Sequence, residues 1–347
     1  MTTTTRQHSS GSLDQFGPVM VTPVIGNEFT KNTCNIVNDI LRGPESDRYI
    51  RDLAIMIAER GVVFFRAQDN LTNDLQKELI LRMGELTGRP SKNTLHIHPV
   101  TNDAREFGDS DPSISTISSE GRKKLYKESG YAKHAAVWHS DISFEPAPAD
   151  FSSLRLTQLP QTGGDTLWAS GYEIYDRISK PYRTFLESLS AVHDGETFRQ
   201  MAQSGKFQLY EKQRGSPANV GGDLFAEHPV VRTNPITGWK SIFAAAGFPS
   251  RINGLTRKES ANILQFLNDM ITHGHDLQVR FKWNQANDIA IWDNRSVFHT
   301  ATGDHEGFGP RSGNRAVGVG EVPYFDPGSI SRREDLGTED DLASCHR

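Results

Sequence analysis

The chain has 347 residues, 36% of them hydrophobic and 23% charged, a composition that suits one large globular domain and excludes fibrous and wholly disordered classes. A formal charge of −5 at pH 7 argues against a surface built to hold nucleic acid or anionic lipid, while leaving room for a local basic pocket. Two cysteines, Cys34 and Cys345, lie near opposite ends without CxxC or Cys/His spacing, which excludes a disulfide scaffold or zinc ribbon and suits a reducing, cytoplasmic setting.

In chain order, the Thr/Ser-rich residues 1–18 lack the apolar run of a signal peptide and read as a disordered start. A single domain over 19–326 with long lid insertions follows, then a polar tail, 327–347, that carries Arg332, Arg333, Glu334, Asp335, Glu339, Asp340 and Asp341 and also reads as poorly ordered. Gly61-Val-Val-Phe-Phe65 is the first clear strand, and Leu75, Leu79, Ile80 and Met83 recur at a spacing that predicts a helix over about 70–85. Segments 84–140 and 195–228 are polar, Gly-rich and too long for turns, which marks them as lids or binding loops. Phe151–Leu156, Ser241–Phe243, Val279–Trp283, Ile289–Trp292 and Arg315–Val322 read as strands, and Thr256 with Glu259 forms a capping box that opens a helix over about 257–272. The second half is therefore mostly strands with a helix inserted, a β-sandwich or barrel and not alternating βα units. No apolar run approaches the roughly 18 residues that cross a bilayer.

Chemistry concentrates first at Trp138-His-Ser-Asp141, where an extended backbone places His139 and Asp141 on one face, close enough to bind one ion. Alone this is weak, since among 12 histidines a chance His-x-Asp is nearly expected. His299 follows the apolar run Ile289-Ala-Ile-Trp292, and with it the three side chains make a two-His, one-carboxylate facial triad that leaves positions open on Fe(II). Taken singly, His299 reads better as a surface or core histidine held by hydrogen bonds. Arg311 and Arg315 point the same way if their segment is a strand, with Cα atoms about 13 Å apart. That separation suits two different anions, a cosubstrate and a substrate, against the plainer reading of two surface charges.

With Leu95-His-Ile-His-Pro-Val100, Gly163-Gly-Asp-Thr-Leu-Trp-Ala-Ser170, His228-Pro-Val-Val-Arg-Thr233 and Asn287-Asp-Ile-Ala-Ile-Trp-Asp-Asn-Arg295 added, the chain over roughly 20–325 resembles the Fe(II)/2-oxoglutarate-dependent dioxygenases of the taurine dioxygenase and 2,4-dichlorophenoxyacetate dioxygenase group. The resemblance implies a mainly β fold with helical insertions, a double-stranded β-helix (jelly roll, cupin-like). It implies that His139, Asp141 and His299 bind Fe(II), that Thr166 and Arg311 hold the distal carboxylate of 2-oxoglutarate, and that O₂ is the oxidant. Arg315 and His98 match the clamp on a substrate anion, and Phe248 in Ala246-Gly-Phe-Pro249 matches an aromatic wall of that pocket.

Two positions depart from taurine dioxygenase: Thr101 stands where that enzyme has a tyrosine, and Ala135 where it has an asparagine. Both family residues face the amine of taurine, so the implied partner is another small anionic organic molecule, a sulfonate or carboxylate, with no nucleic acid or membrane; a homo-oligomer is compatible with all of this. The alternatives are a biosynthetic oxidase of an amino acid on the same scaffold, a non-catalytic cupin-like binding protein, and a zinc hydrolase using the same ligand set.

Overall fold

The run Val62-Val-Phe-Phe65 is apolar at every position because it is buried on both faces. In the computed structural model, which describes residues 5–100, 111–119, 138–205 and 208–338, Val62 and Phe64 of the strand Val62–Phe65 (β3) point into the space between two sheets. Val63 and Phe65 point the other way, into a layer of helices. The neighbouring strand Ile289–Asp293 (β13) repeats the division, with Ala290 and Trp292 between the sheets and Ile289 and Ile291 beneath the helices.

These two strands centre a seven-stranded sheet completed by Val19–Met20 (β1), Asn27–Phe29 (β2), Ile114–Ser118 (β4), Ala149–Gln158 (β5) and Ser312–Val319 (β15). The order is β1-β2-β3-β13-β5-β15-β4, and every pairing is antiparallel except β2 with β3. The facing layer is built on Thr166–Ser170 (β6), flanked by Gln278–Phe281 (β12) and Val297–Ala301 (β14). Smaller antiparallel sheets extend it: Ser190–Asp194 (β7) between Phe225–Pro229 (β8) and Pro249–Ile252 (β11), and Val231–Thr233 (β9) with Lys240–Ile242 (β10).

Aromatic rings fill the gap between the layers. Phe64 stacks on Phe281 at 4.1 Å and meets Trp168 edge-on at 5.3 Å, and Trp168 meets Trp292 at 5.7 Å. The result is the expected jelly roll with helical insertions.

Helices Ser46–Arg60 (α1) and Asn73–Thr87 (α2) cover the outer face of the large sheet. The second follows the predicted span and is capped by Thr72, whose hydroxyl accepts the Leu75 N–H at 3.3 Å. Helix Arg257–His273 opens on the predicted capping box of Thr256 and Glu259 and lays Ile263, Leu267 and Ile271 on the facing layer. The expected strands at 151–156, 241–243, 279–283, 289–292 and 315–322 all appear with shifted ends. No helix among the described residues is long and apolar enough to cross a membrane.

Both ends differ from expectation. Residues 5–18 are docked, not disordered: buried Asp52 on α1 accepts the hydroxyls of Ser10 at 2.6 Å and Ser12 at 2.7 Å together with both backbone N–H groups, and Leu13 enters the core. The tail is held as far as residue 338, because the Trp239 indole N–H donates to Asp335 at 2.8 Å and the Lys240 N–H to the Ile330 carbonyl at 3.0 Å. In both cases polar residues at a chain end found specific buried partners, which composition does not reveal.

Candidate active site

Backbone pairing brings the expected His139, Asp141 and His299 together. His299 lies on β14 opposite Trp168 of β6, and His139 bridges to it from the other side: the His139 N–H donates to the His299 carbonyl at 3.0 Å, and the His299 N–H to the His139 carbonyl at 2.8 Å. That bridge sets the two rings 4.3 Å apart. Asp141 follows two residues on, with Oδ1 at 3.8 Å from His139 Nε2 and 3.9 Å from His299 Nε2, and the three ligand atoms all lie within 4.8 Å of one another. Gly247 makes the close approach possible: its φ is +56°, and a Cβ there would sit 2.8 Å from the Cβ of His139.

The carboxylate of Asp141 is fixed from both sides. Ser152 donates its hydroxyl to Oδ2 at 2.8 Å, and Arg315 donates to Oδ1 at 2.6 Å. The Asp141 N–H donates to the side-chain carbonyl of Asn294 at 3.1 Å, a group that also accepts the Trp292 indole N–H at 3.0 Å, while the Asn294 amide donates to Ser152 at 2.8 Å. Burial alone would push the Asp141 carboxyl up, but the Arg315 guanidinium beside it, helped by the Ser152 hydroxyl, outweighs burial and holds the group well below the usual carboxylate range. His299 is pushed down to about 3 by burial first and then by His139 and Arg315, so it stands neutral, the form that ligates. Its Nδ1 has no hydrogen-bond partner among the described residues, and Trp168 at 6.5 Å and Trp292 at 4.8 Å orient the ring by packing instead. Two imidazole Nε2 atoms and one ionised carboxylate converging, with Asp141 and His299 buried and His139 partly exposed, fit a divalent transition-metal ion.

Two arginines reach in from the start of β15, Arg311 just before the strand and Arg315 within it. Arg311 donates through Nε to the Gly164 carbonyl at 2.8 Å and through Nη2 to the Thr166 hydroxyl at 3.2 Å. Gly164, at φ +72°, leaves the room this needs, since a Cβ would lie 2.8 Å from Arg311 Cδ. Arg315 sits on the triad side, and its Nε is buried with no hydrogen-bond partner among the described residues.

His98 is buried, and its Nδ1 accepts the Val100 N–H at 3.1 Å, so the proton of the neutral ring is on Nε2. Burial, then Arg315 and His96, hold it well below the usual histidine value. Phe248 stands edge-on to His139 at 6.2 Å and to Phe144 at 5.0 Å, and Phe198 closes the wall, 5.3 Å from His98. Thr101 and Ala135 lie outside the described residues. Sequence reasoning did not single out Ser152, Asn294, Phe144 or Phe198. Of these only Asn294 carried a signal, inside the Trp292-Asp-Asn-Arg295 motif.

Residues 27–317 match the family described as taurine catabolism dioxygenase TauD, TfdA. The chain belongs to the TauD/TfdA family. The dioxygenase is 47% identical over 338 residues to the alpha-ketoglutarate-dependent dioxygenase btcD of Neocamarosporium betae, covering 94% of this chain and 96% of that one. It is 46% identical over 330 residues to the alpha-ketoglutarate-dependent dioxygenase oryG of Aspergillus oryzae, covering 94% of each. A solved taurine dioxygenase from Burkholderia xenovorans superposes with a TM-score of 0.65 at 27% identity, over 90% of this chain and 91% of that one. The protein is thus a 2-oxoglutarate-dependent dioxygenase, and the reading as a non-catalytic cupin-like binder falls away.

Proposed function

We propose that the dioxygenase holds Fe(II) through His139, Asp141 and His299, consumes O₂ with 2-oxoglutarate, and oxidises a C–H bond of a small anionic organic substrate, releasing succinate and CO₂. The observation that carries the substrate class is Arg315 Nε, a buried cationic N–H donor without a partner among the described residues, next to the His139, Asp141 and His299 triad. Such a donor costs stability unless an acceptor fills it, and an anionic head group is the acceptor that best repays the burial.

Bound iron supplies the oxidising power, drawn from O₂ and the oxidative decarboxylation of 2-oxoglutarate. Arg311 and Thr166 grip the far carboxylate of 2-oxoglutarate. Arg315 pairs with the substrate anion, and the Nε2–H of His98 donates a second hydrogen bond that does not depend on protonation. Phe248, Phe144 and Phe198 exclude water and offer an apolar wall to the substrate's body. Relatives point the same way: a sulfonate dioxygenase of Saccharomyces cerevisiae is 30% identical over 82% of this chain and 62% of its own length, and a sulfate ester dioxygenase of Pseudomonas putida is 30% identical over 80% and 82%.

The test is substrate-stimulated succinate formation across an alkylsulfonate, an alkyl sulfate ester, an aryloxyacetate, a branched amino acid and taurine, each beside a neutral isostere. An anion with an apolar body should stimulate most, taurine less, and the neutral compounds least. Equal stimulation by neutral isosteres would contradict the proposal, and preference for the amino acid would mark the enzyme as an amino-acid oxidase.

A further inference from the structure

Thr166 is the first residue of β6, paired with Phe281 on β12 and Ala301 on β14. Trp283 lies two residues beyond Phe281, just past the end of β12, and packs edge-on against that ring at 4.9 Å. Its indole N–H donates to the Thr166 hydroxyl at 3.1 Å. The same oxygen accepts from Arg311 Nη2 at 3.2 Å.

A hydroxyl has two lone pairs and one proton. With an indole N–H on one lone pair and a guanidinium N–H on the other, the Thr166 proton has no direction left except away from both donors. We infer that Trp283 is a positioning residue for the cosubstrate: by filling the second lone pair of Thr166 it turns that hydroxyl into an obligatory donor aimed at the distal carboxylate of 2-oxoglutarate.

Without the indole N–H the hydroxyl can rotate and accept, presenting a lone pair to an anion part of the time. Trp283 is 7% exposed and uncharged, so it tunes this one hydrogen bond without adding charge to the pocket. The inference rests on placing 2-oxoglutarate at Arg311 and Thr166.

The experiment is calorimetric binding of 2-oxoglutarate to Mn(II)-loaded protein for wild type, Trp283→Phe, Trp283→His, Thr166→Val, the Trp283→Phe/Thr166→Val double variant and Arg311→Ala. Losing one neutral hydrogen bond's alignment should weaken 2-oxoglutarate about threefold to tenfold in Trp283→Phe, while Mn(II) affinity stays at the wild-type value. Trp283→His keeps a ring N–H and should bind more tightly than Trp283→Phe. In the Thr166→Val background, Trp283→Phe should have no further effect, a non-additivity that a purely structural role for the ring would not produce. Wild-type affinity in Trp283→Phe, or an undiminished effect of it in the Thr166→Val background, overturns the inference. Wild-type affinity in Arg311→Ala would instead overturn the placement of the cosubstrate.

Discussion

Two arginines four residues apart have different neighbours, and under the proposed function that difference divides their work. Arg311 is tied to the Gly164 carbonyl and Thr166, whereas Arg315 reaches the ligand carboxylate of Asp141. Arg311→Ala should raise KM for 2-oxoglutarate by about 10- to 100-fold, the range of a lost charge-assisted hydrogen bond of about 1.5–3 kcal/mol, and leave KM for the prime substrate nearly constant. Arg315→Ala should do the reverse. Steady-state kinetics with each substrate varied in turn decides it, and a swapped pattern would reverse the assignment. Asn294 shows what sequence alone could not supply: its side chain joins Asp141, Ser152 and Trp292 from positions as much as 153 residues away. Asn294→Ala should release the Asp141 N–H and the Trp292 indole together and lower metal affinity about 10- to 100-fold, as loss of a ligand's hydrogen-bonded support does. Metal titration by calorimetry checks it, and an unchanged affinity would contradict the supporting role.

At the scale of elements, one buried ion pair organises three loops around the pocket. Glu145, four residues after Asp141, accepts from Arg214 Nε at 2.5 Å and Nη2 at 2.8 Å, and His96 lies 3.0 Å away. Arg214 also donates to the carbonyls of Tyr210 at 3.0 Å and Gly221 at 2.8 Å, so it closes the 210–221 loop and pins it beneath the ligand turn and the segment leading to His98. Arg214→Ala leaves a buried carboxylate unpaired and should destabilise the protein by about 3–5 kcal/mol, read by denaturant unfolding, with faster proteolysis at 210–221. Removing both charges with the Glu145→Gln/Arg214→Met pair should cost less than either single loss; equal stability of Arg214→Ala and wild type would contradict this role. The elements legible in the sequence were those with one clean period: the helix over 257–273 shows its cap and its apolar stripe, and β3 and β13 show short apolar runs. Helix α1 escaped because Leu53-Ala-Ile-Met-Ile-Ala58 is apolar all round, which hides a 3.6-residue period. Strand β14 escaped because the turn at 294–296 separates it from β13 by only three residues, and its polar His299 and Thr300 obscure the alternation.

The whole molecule carries several buried neutral histidines, and they set its acid sensitivity. Burial holds His98 and His193 well below the usual histidine value and pushes His228 down to about 4. Each of these folded-state values lies below that of the unfolded chain, about 6.5, so between the two the unfolded state binds more protons and stability rises with pH. The metal-free protein should therefore lose stability as pH falls from 7 towards 5, with a slope of up to about 4 kcal/mol per pH unit from three such groups. Calorimetric unfolding at pH 5.5 and 7.5 reads the effect, and a flat profile would mean that these rings are protonated in the fold. The central claim, that the triad of His139, Asp141 and His299 holds the iron on which 2-oxoglutarate is turned over, is met most directly by anaerobic titration of the protein with Fe(II) and 2-oxoglutarate, following the visible charge-transfer absorption of their complex. The account predicts a band that saturates at one iron per chain and is absent from His139→Ala, Asp141→Ala and His299→Ala; a full-strength band in any of the three variants would contradict it.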